Sequence, residues 1–228
     1  APATRGLVAQ MTFNSLTAKL MEQTGFGNEV NYSIVDKTLL KDKLQVEKKI
    51  GQVTATSQTK LSGSGSLKKG EVEVAGMVYK TGGAEVANML GYNVVFYTKE
   101  NLMGENEIIL IRPEDGKNDS MTIKATNFES IADATGKKVI SYWKNKDTDT
   151  RVTEADVALD ARLIYNGKAE TMENSLVNLK DKAGIVSLLD TDRDGKYDLV
   201  FVTEYKNLVV EEVLPTSGRI IAKYGAPN

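Results

Sequence analysis

The sequence predicts a mainly β (α+β) chain: antiparallel sheets with an N-terminal amphipathic helix and a short helix near residues 83–90. Three observations carry this. Short runs alternate apolar and polar residues with a period of two, as in half-buried antiparallel strands. Turn formers such as Pro113-Glu114-Asp115-Gly116 and Asn166-Gly167 recur between those runs. Helical spacing of apolar residues is confined to two stretches.

The first of these stretches runs from Thr4 to Leu20. Thr4 is placed to cap it, and Leu7, Met11, Phe13, Leu16 and Leu20 fall on overlapping faces. Gly25 and Gly27 end the pattern. A short helix with this apolar load is expected to bury Leu7, Met11 and Leu16 against another element.

From Tyr32 to Tyr79 the pattern is strand-like, with strands expected at residues 51–56, 71–74 and 77–79. Ser62-Gly63-Ser64-Gly65-Ser66 has linker composition, but strand-like sequence lies on both sides, so a loop within one sheet region is expected. Gly82 to Gly91 reads as a compact helix with Val86, Met89 and Leu90 on one stripe. Its double glycine lacks the remaining residues of a phosphate-binding loop. Strands are then expected at 93–98, 107–112, 120–125, 138–143, 156–165, 183–189, 199–203 and 208–213. This reading divides the chain into an N-terminal helix (1–24), a β-rich domain with one short helix (25–135) and a β-rich domain with an Asp-rich loop (136–228).

Composition narrows the chemistry. The 228 residues are 41% hydrophobic, enough for real cores. With 29 basic and 31 acidic side chains, the formal charge of −2 gives no electrostatic footprint for nucleic acid. No apolar run approaches the roughly 18 residues of a membrane span. The start Ala1-Pro2-Ala3-Thr4 has no signal-peptide pattern, as expected of a mature form or an excised segment. The chain has neither Cys nor His, which removes thiolate nucleophiles, Ser-His-Asp triads, ordinary zinc sites and histidine general bases.

The sharpest chemical signal is Asp190-Thr191-Asp192-Arg193-Asp194-Gly195-Lys196-Tyr197-Asp198, between two apolar runs. Carboxylates at alternating and then wider spacing around a glycine let one turn aim several oxygens at a hard cation, and calcium is the expected ion. The expected ligands are the carboxylates of Asp190, Asp192, Asp194 and Asp198, with the backbone carbonyl of Lys196. It is not a complete EF-hand, because the twelfth position is Phe201 and a strand follows where that motif needs a helix. A site useful at about 0.1–1 mM calcium is therefore expected. The plainer reading is an Asp-rich hairpin turn. Asp147-Thr148-Asp149 is a second acidic group, read as a solvated turn beside Lys144 and Lys146 or as a weak ion site.

Among the aromatic residues, Tyr142-Trp143 is the pair that suits a sugar platform. Adjacent strand residues face opposite sides, so one of the two is expected in the core. Paired carboxylates can hydrolyse glycosides, and Glu204, Glu211 and Glu212 are the nominees, on strands whose separation the sequence does not give.

Residues 4–16, Thr4-Arg5-Gly6-Leu7-Val8-Ala9-Gln10-Met11-Thr12-Phe13-Asn14-Ser15-Leu16, resemble the closing helix of an S-layer homology domain of Gram-positive surface proteins. Asn88 to Val94, Tyr165 to Lys168 and Gly184 to Val202 are similar to the β-rich segments that follow such domains, and similar modules suit phage virions. Wall-polysaccharide binding in that family rests on three such domains, of which only the end of one stands here. The resemblance implies an extracellular, cell-surface or virion location. Its partners would be copies of the chain or other structural proteins of the layer or virion, with cell-wall glycan a further candidate. The expected function is a non-enzymatic structural module, stabilised by calcium. The alternatives are a calcium-dependent carbohydrate-binding or adhesion module and a carboxylate-dependent glycan hydrolase.

Overall fold

The computed structural model describes residues 2–25, 27, 30–62, 65–134, 136–172, 179 and 182–224. The fold is mainly β and falls into two compact units. The first comprises residues 1–57, 67–89 and 93–114; the second comprises 58–66, 90–92 and 115–228.

The first unit begins with helix α1 (Arg5–Thr17), capped as expected by the Thr4 hydroxyl, which accepts from Leu7 N at 3.2 Å. Strands β1 (Lys19–Gln23) and β2 (Tyr32–Thr38) form a separate antiparallel pair, and the short helix α2 (Leu39–Asp42) follows. The expected burial of one face of α1 is not what forms. Leu7 and Met11 are 52% and 62% exposed, and Leu16 alone packs, against Leu40, Val46, Val95 and Tyr97. At 3.6 residues per turn, Leu16 lies about half a turn round the helix from Leu7. The apolar residues therefore ring the helix rather than stripe it. The helix also stops at Thr17, because Ala18 is already extended and β1 begins at Lys19.

Strands β3 (Val46–Ala55), β4 (Glu71–Val74), β5 (Met77–Lys80), β6 (Asn93–Glu100) and β7 (Asn106–Pro113) close into a barrel in the order β3-β4-β5-β7-β6. Neighbours are antiparallel except β5 and β7, which meet in parallel at Lys80 and Glu107. This is the Greek-key order of an OB-type barrel. Period-two alternation fills the interior with Val53, Val72, Val74, Val94, Phe96 and Ile108, all at most 1% exposed. Each such side chain contributes about 1.5–3 kcal/mol by burial. The stretch 62–66, expected as a loop within one sheet region, lies between the paired strands β3 and β4 in sequence, but residues 58–66 group with the second unit, and Gly63 and Ser64 lie outside the described residues. The helix expected over 82–91 is one 3-10 turn, Ala87–Met89. Gly82 and Gly83 take φ of +55° and +89°, which no right-handed helix admits.

The second unit is built on one sheet. Its strands are β8 (Asp119–Lys124), β9 (Phe128–Ala134), β10 (Lys137–Tyr142), β11 (Thr153–Tyr165), β12 (Lys168–Glu170), β13 (Ala183–Asp190) and β14 (Tyr197–Tyr205). The order is β8-β13-β14-β11-β10-β9, with β12 on β11. One pairing is parallel, Arg162–Tyr165 of β11 against Leu199–Val202 of β14. The 135/136 boundary expected from the sequence falls inside the β9–β10 hairpin, where Lys137 pairs with Ala134; the second sheet instead begins after residue 114. Phe128, Ile140, Leu163, Val186, Leu188 and Val200 form the centre of the core. Leu61, Leu90, Leu189 and Leu199 form a smaller cluster, which fixes β13 and β14 next to the loop that joins them. The last two strands, β15 (Val210–Leu214) and β16 (Arg219–Ala222), form an antiparallel hairpin of their own.

Candidate metal loop and its surroundings

The loop between β13 and β14 starts from a register fixed by Leu189 opposite Leu199, both at most 4% exposed. Asp190, at the end of β13, is 3% exposed. Its Oδ1 accepts from the backbone N–H of Asp192 at 3.1 Å and of Arg193 at 2.5 Å, and its Oδ2 from Gly195 at 3.0 Å. Two further steps repeat the pattern: Asp192 Oδ1 accepts from Asp194 N at 3.1 Å, and Asp194 Oδ1 from Lys196 N at 2.7 Å. Each aspartate thus closes a turn on the residue two positions on. The tight path needs left-handed backbone at Arg193 (φ 63°) and Gly195 (φ 88°).

One carboxylate oxygen from each of Asp190, Asp192 and Asp194 lies within 4.8 Å of the others. Two unit charges about 4 Å apart repel by about 4 kcal/mol at the effective dielectric of a protein surface, so this grouping favours positive charge between the oxygens. The three side chains form a group that can chelate a metal ion, and all-oxygen ligands suit a hard one. Asp198 stands outside this group. Its Oδ2 accepts from both the backbone N–H and the hydroxyl of Thr191, each at 2.7 Å, tying the two ends of the loop. Lys196 joins the loop through its amide N–H.

The second acidic turn is different. Asp149 Oδ2 accepts from Asn145 N at 2.8 Å, and Asn145 Oδ1 from Asp147 N at 3.1 Å. Asp147 and Asp149 are not gathered with a third ligand among the described residues.

Glu204 is held by the Tyr165 hydroxyl and by Lys182 Nζ at 3.3 Å, all three meeting at Oε2. The phenol's hydrogen bond, aided by Lys182 against the opposing effect of burial, keeps this carboxyl below the ordinary glutamate range. Burial and then Glu204 push the Tyr165 phenol up. A general acid at neutral pH needs the reverse, a carboxyl raised towards the working pH. Glu204 is arranged as the anion of an ion pair. Glu211 and Glu212 are exposed on β15.

Tyr142 is buried, its hydroxyl 3.2 Å from Met121 Sδ, while its neighbour Trp143 is half-buried and donates its indole N–H to Glu129 at 2.9 Å. Both line a groove of about 1010 Å³ that also takes in Lys124, Lys144 and Lys146. The sequence marked the aromatic pair but not the groove, because Lys124 reaches it from β8, a strand distant in sequence. Of the other aromatic residues, Phe96 and Tyr97 are core, Phe201 packs on the leucine cluster, and Tyr205 is 56% exposed. No helix among the described residues is long and apolar enough to cross a membrane. Searches of family models, curated proteins and solved structures give no match to this chain.

Proposed function

We propose that this chain is a non-catalytic structural module of an extracellular assembly, a surface layer or a virion. Its neighbours are copies of itself or other structural proteins, and its Asp190–Asp194 loop is stiffened by Ca²⁺. The observation that carries this reading is apolar surface left uncovered on elements near both termini. Leu7, Val8, Met11 and Phe13 on α1, Met21, Tyr32 and Ile34 on the first hairpin, and Val210, Val213, Ile220 and Ile221 on the last are each more than two-fifths exposed. Surface of this kind marks interaction sites, and a lone two-stranded hairpin is marginal in water without something to pack on. Calcium is the chosen ion because the ligands are all oxygen and the loop supplies the flexible, irregular geometry that Ca²⁺ accepts.

Sedimentation velocity of the full chain at about 1–200 μM, in about 5 mM CaCl₂ and in chelator, tests the reading. The expected result is mass that rises with concentration, together with calorimetric heat of calcium binding. A monomer at every concentration, with turnover of a glycan or peptide substrate, overturns it.

A further inference from the structure

We propose that the β15–β16 hairpin of one copy seats in the groove beside Trp143 of a second copy, with Glu211 and Glu212 against Lys124, Lys144 and Lys146. The inference rests on the assembly reading and names its interface. The two surfaces match in charge, shape and unmet bonding.

Charge comes first. Lys124, Lys144 and Lys146 line the groove together with one acid, Asp147. All three lysines are exposed, and none is ion-paired among the described residues. Lys146 Nζ only touches the Thr126 carbonyl, at 3.3 Å. On the hairpin, the charges of β15 are Glu211 and Glu212, and β16 adds Arg219. Both glutamates are exposed and likewise without an ion pair among the described residues. Three cations and one anion thus face two anions and one cation, a pattern that orients an interface and speeds its formation.

Shape and bonding follow. The groove is bounded on one side by β8, an edge strand whose one strand partner among the described residues is β13. An unpaired strand edge is a template for strand addition. At about 3.4 Å per residue, β15 spans about 17 Å and β8 about 20 Å, so one lies along the other. A register shift between Val210 and Glu212 leaves Glu211 out of the β15–β16 pairing. The hairpin brings Val210, Val213, Ile220 and Ile221, all exposed in the single chain, and the groove offers Met121 and the indole of Trp143. Because hairpin and groove are different surfaces, the contact is head-to-tail and propagates as a ring or a filament.

The test uses the full chain, in calcium, followed by sedimentation and by the fluorescence of Trp143, the one tryptophan in the sequence. Wild type is expected to assemble with concentration, with Trp143 emission shifting to the blue and becoming harder to quench by acrylamide. Glu211→Lys with Glu212→Lys is expected to weaken assembly at least tenfold, and so is Lys124→Glu with Lys144→Glu and Lys146→Glu. Equimolar mixing of the two variants is expected to restore it, since each then presents a complementary surface to the other. Should the triple glutamate variant fail to fold, Lys→Gln at the same three positions replaces it, with the same tenfold loss expected. Assembly unaffected by either charge set overturns this interface and leaves the assembly reading standing. A monomer at every concentration overturns both. An N-acetylglucosamine oligomer that shifts Trp143 emission equally in wild type and in the hairpin variant assigns the groove to glycan and also overturns the proposal.

Discussion

Two acidic turns of this chain, Asp147 to Asp149 and Asp190 to Asp198, share a composition and do different things. In the first, one carboxylate and one amide oxygen each cap one backbone N–H, and Asp147 is exposed. In the second, a buried aspartate gathers three N–H groups, and two more aspartates follow at a step of two, so their oxygens converge. The difference is spacing and footing. Asp190 sits at the end of a strand pinned by Leu189 and Leu199, whereas Asp147 follows Lys144, Asn145 and Lys146 past the end of β10. Acidic content alone does not make a ligand group; a fixed base beneath it does.

The largest effect that separates the turns is expected from Asp190→Ala. It leaves three loop N–H groups without their acceptor, at a cost of about 2–4 kcal/mol, where Asp147→Ala stays within about 0.5 kcal/mol. Chemical denaturation in chelator reads this without any ion, and equal losses would erase the distinction. Calcium comes next. At about 5 mM Ca²⁺ and a Kd of about 0.1–1 mM, linkage adds about 1–2 kcal/mol to the folded state. Asp192→Ala and Asp194→Ala are expected to lose that increment and Asp147→Ala to keep it, as read by melting temperature with and without calcium.

Gly195→Ala is expected to cost about 1–2 kcal/mol through its left-handed backbone. Nothing lies within 4 Å of the added methyl, so the loss is conformational rather than steric. Residues 145–149 have no positive φ, and alanine at Lys146 is expected to be nearly neutral.

The smallest effect concerns Glu204, whose carboxylate is held by a phenol and an ammonium instead of by backbone. Its folded pKa is lowered, so its stabilisation is present above the unfolded value of about 4.3 and is lost as pH falls through the folded value. Glu204→Gln is expected to cost at most about 1 kcal/mol at pH 7, since Lys182 is 39% exposed, and to flatten the acid limb of the stability curve. An unchanged acid limb would mean that the pair is decorative.

Much of this was legible in the sequence because period-two alternation reports which residues are strand and which face is buried. Val72 and Val74, Ile108 and Val200 all lie where alternation puts them. Partners were not legible: alternation is the same whichever strand lies alongside, so the parallel pairing of β11 with β14 and the pairing of β8 with β13 leave no local mark. The acidic loop was readable as a group because its residues are adjacent. Asp198 lies outside the three-residue group, and spacing does not reveal that Thr191 takes one of its oxygens. The groove by Trp143 draws on residues 121–127 and 142–147, and no window of sequence spans both.

The pairing of β8 with β13 also has a consequence in time. Thr122 and Ser187, whose hydroxyls meet at 3.3 Å, are 65 positions apart. At ribosomal speeds of about 5–20 residues per second, β8 emerges about 3–13 s before the strand that will cover its inner edge. During that interval Met121 and Ile123 have no neighbour on that side, in a chain whose every copy carries the same waiting strand. Synthesis therefore leaves one short strand without its neighbour for several seconds, before the fold that covers it exists.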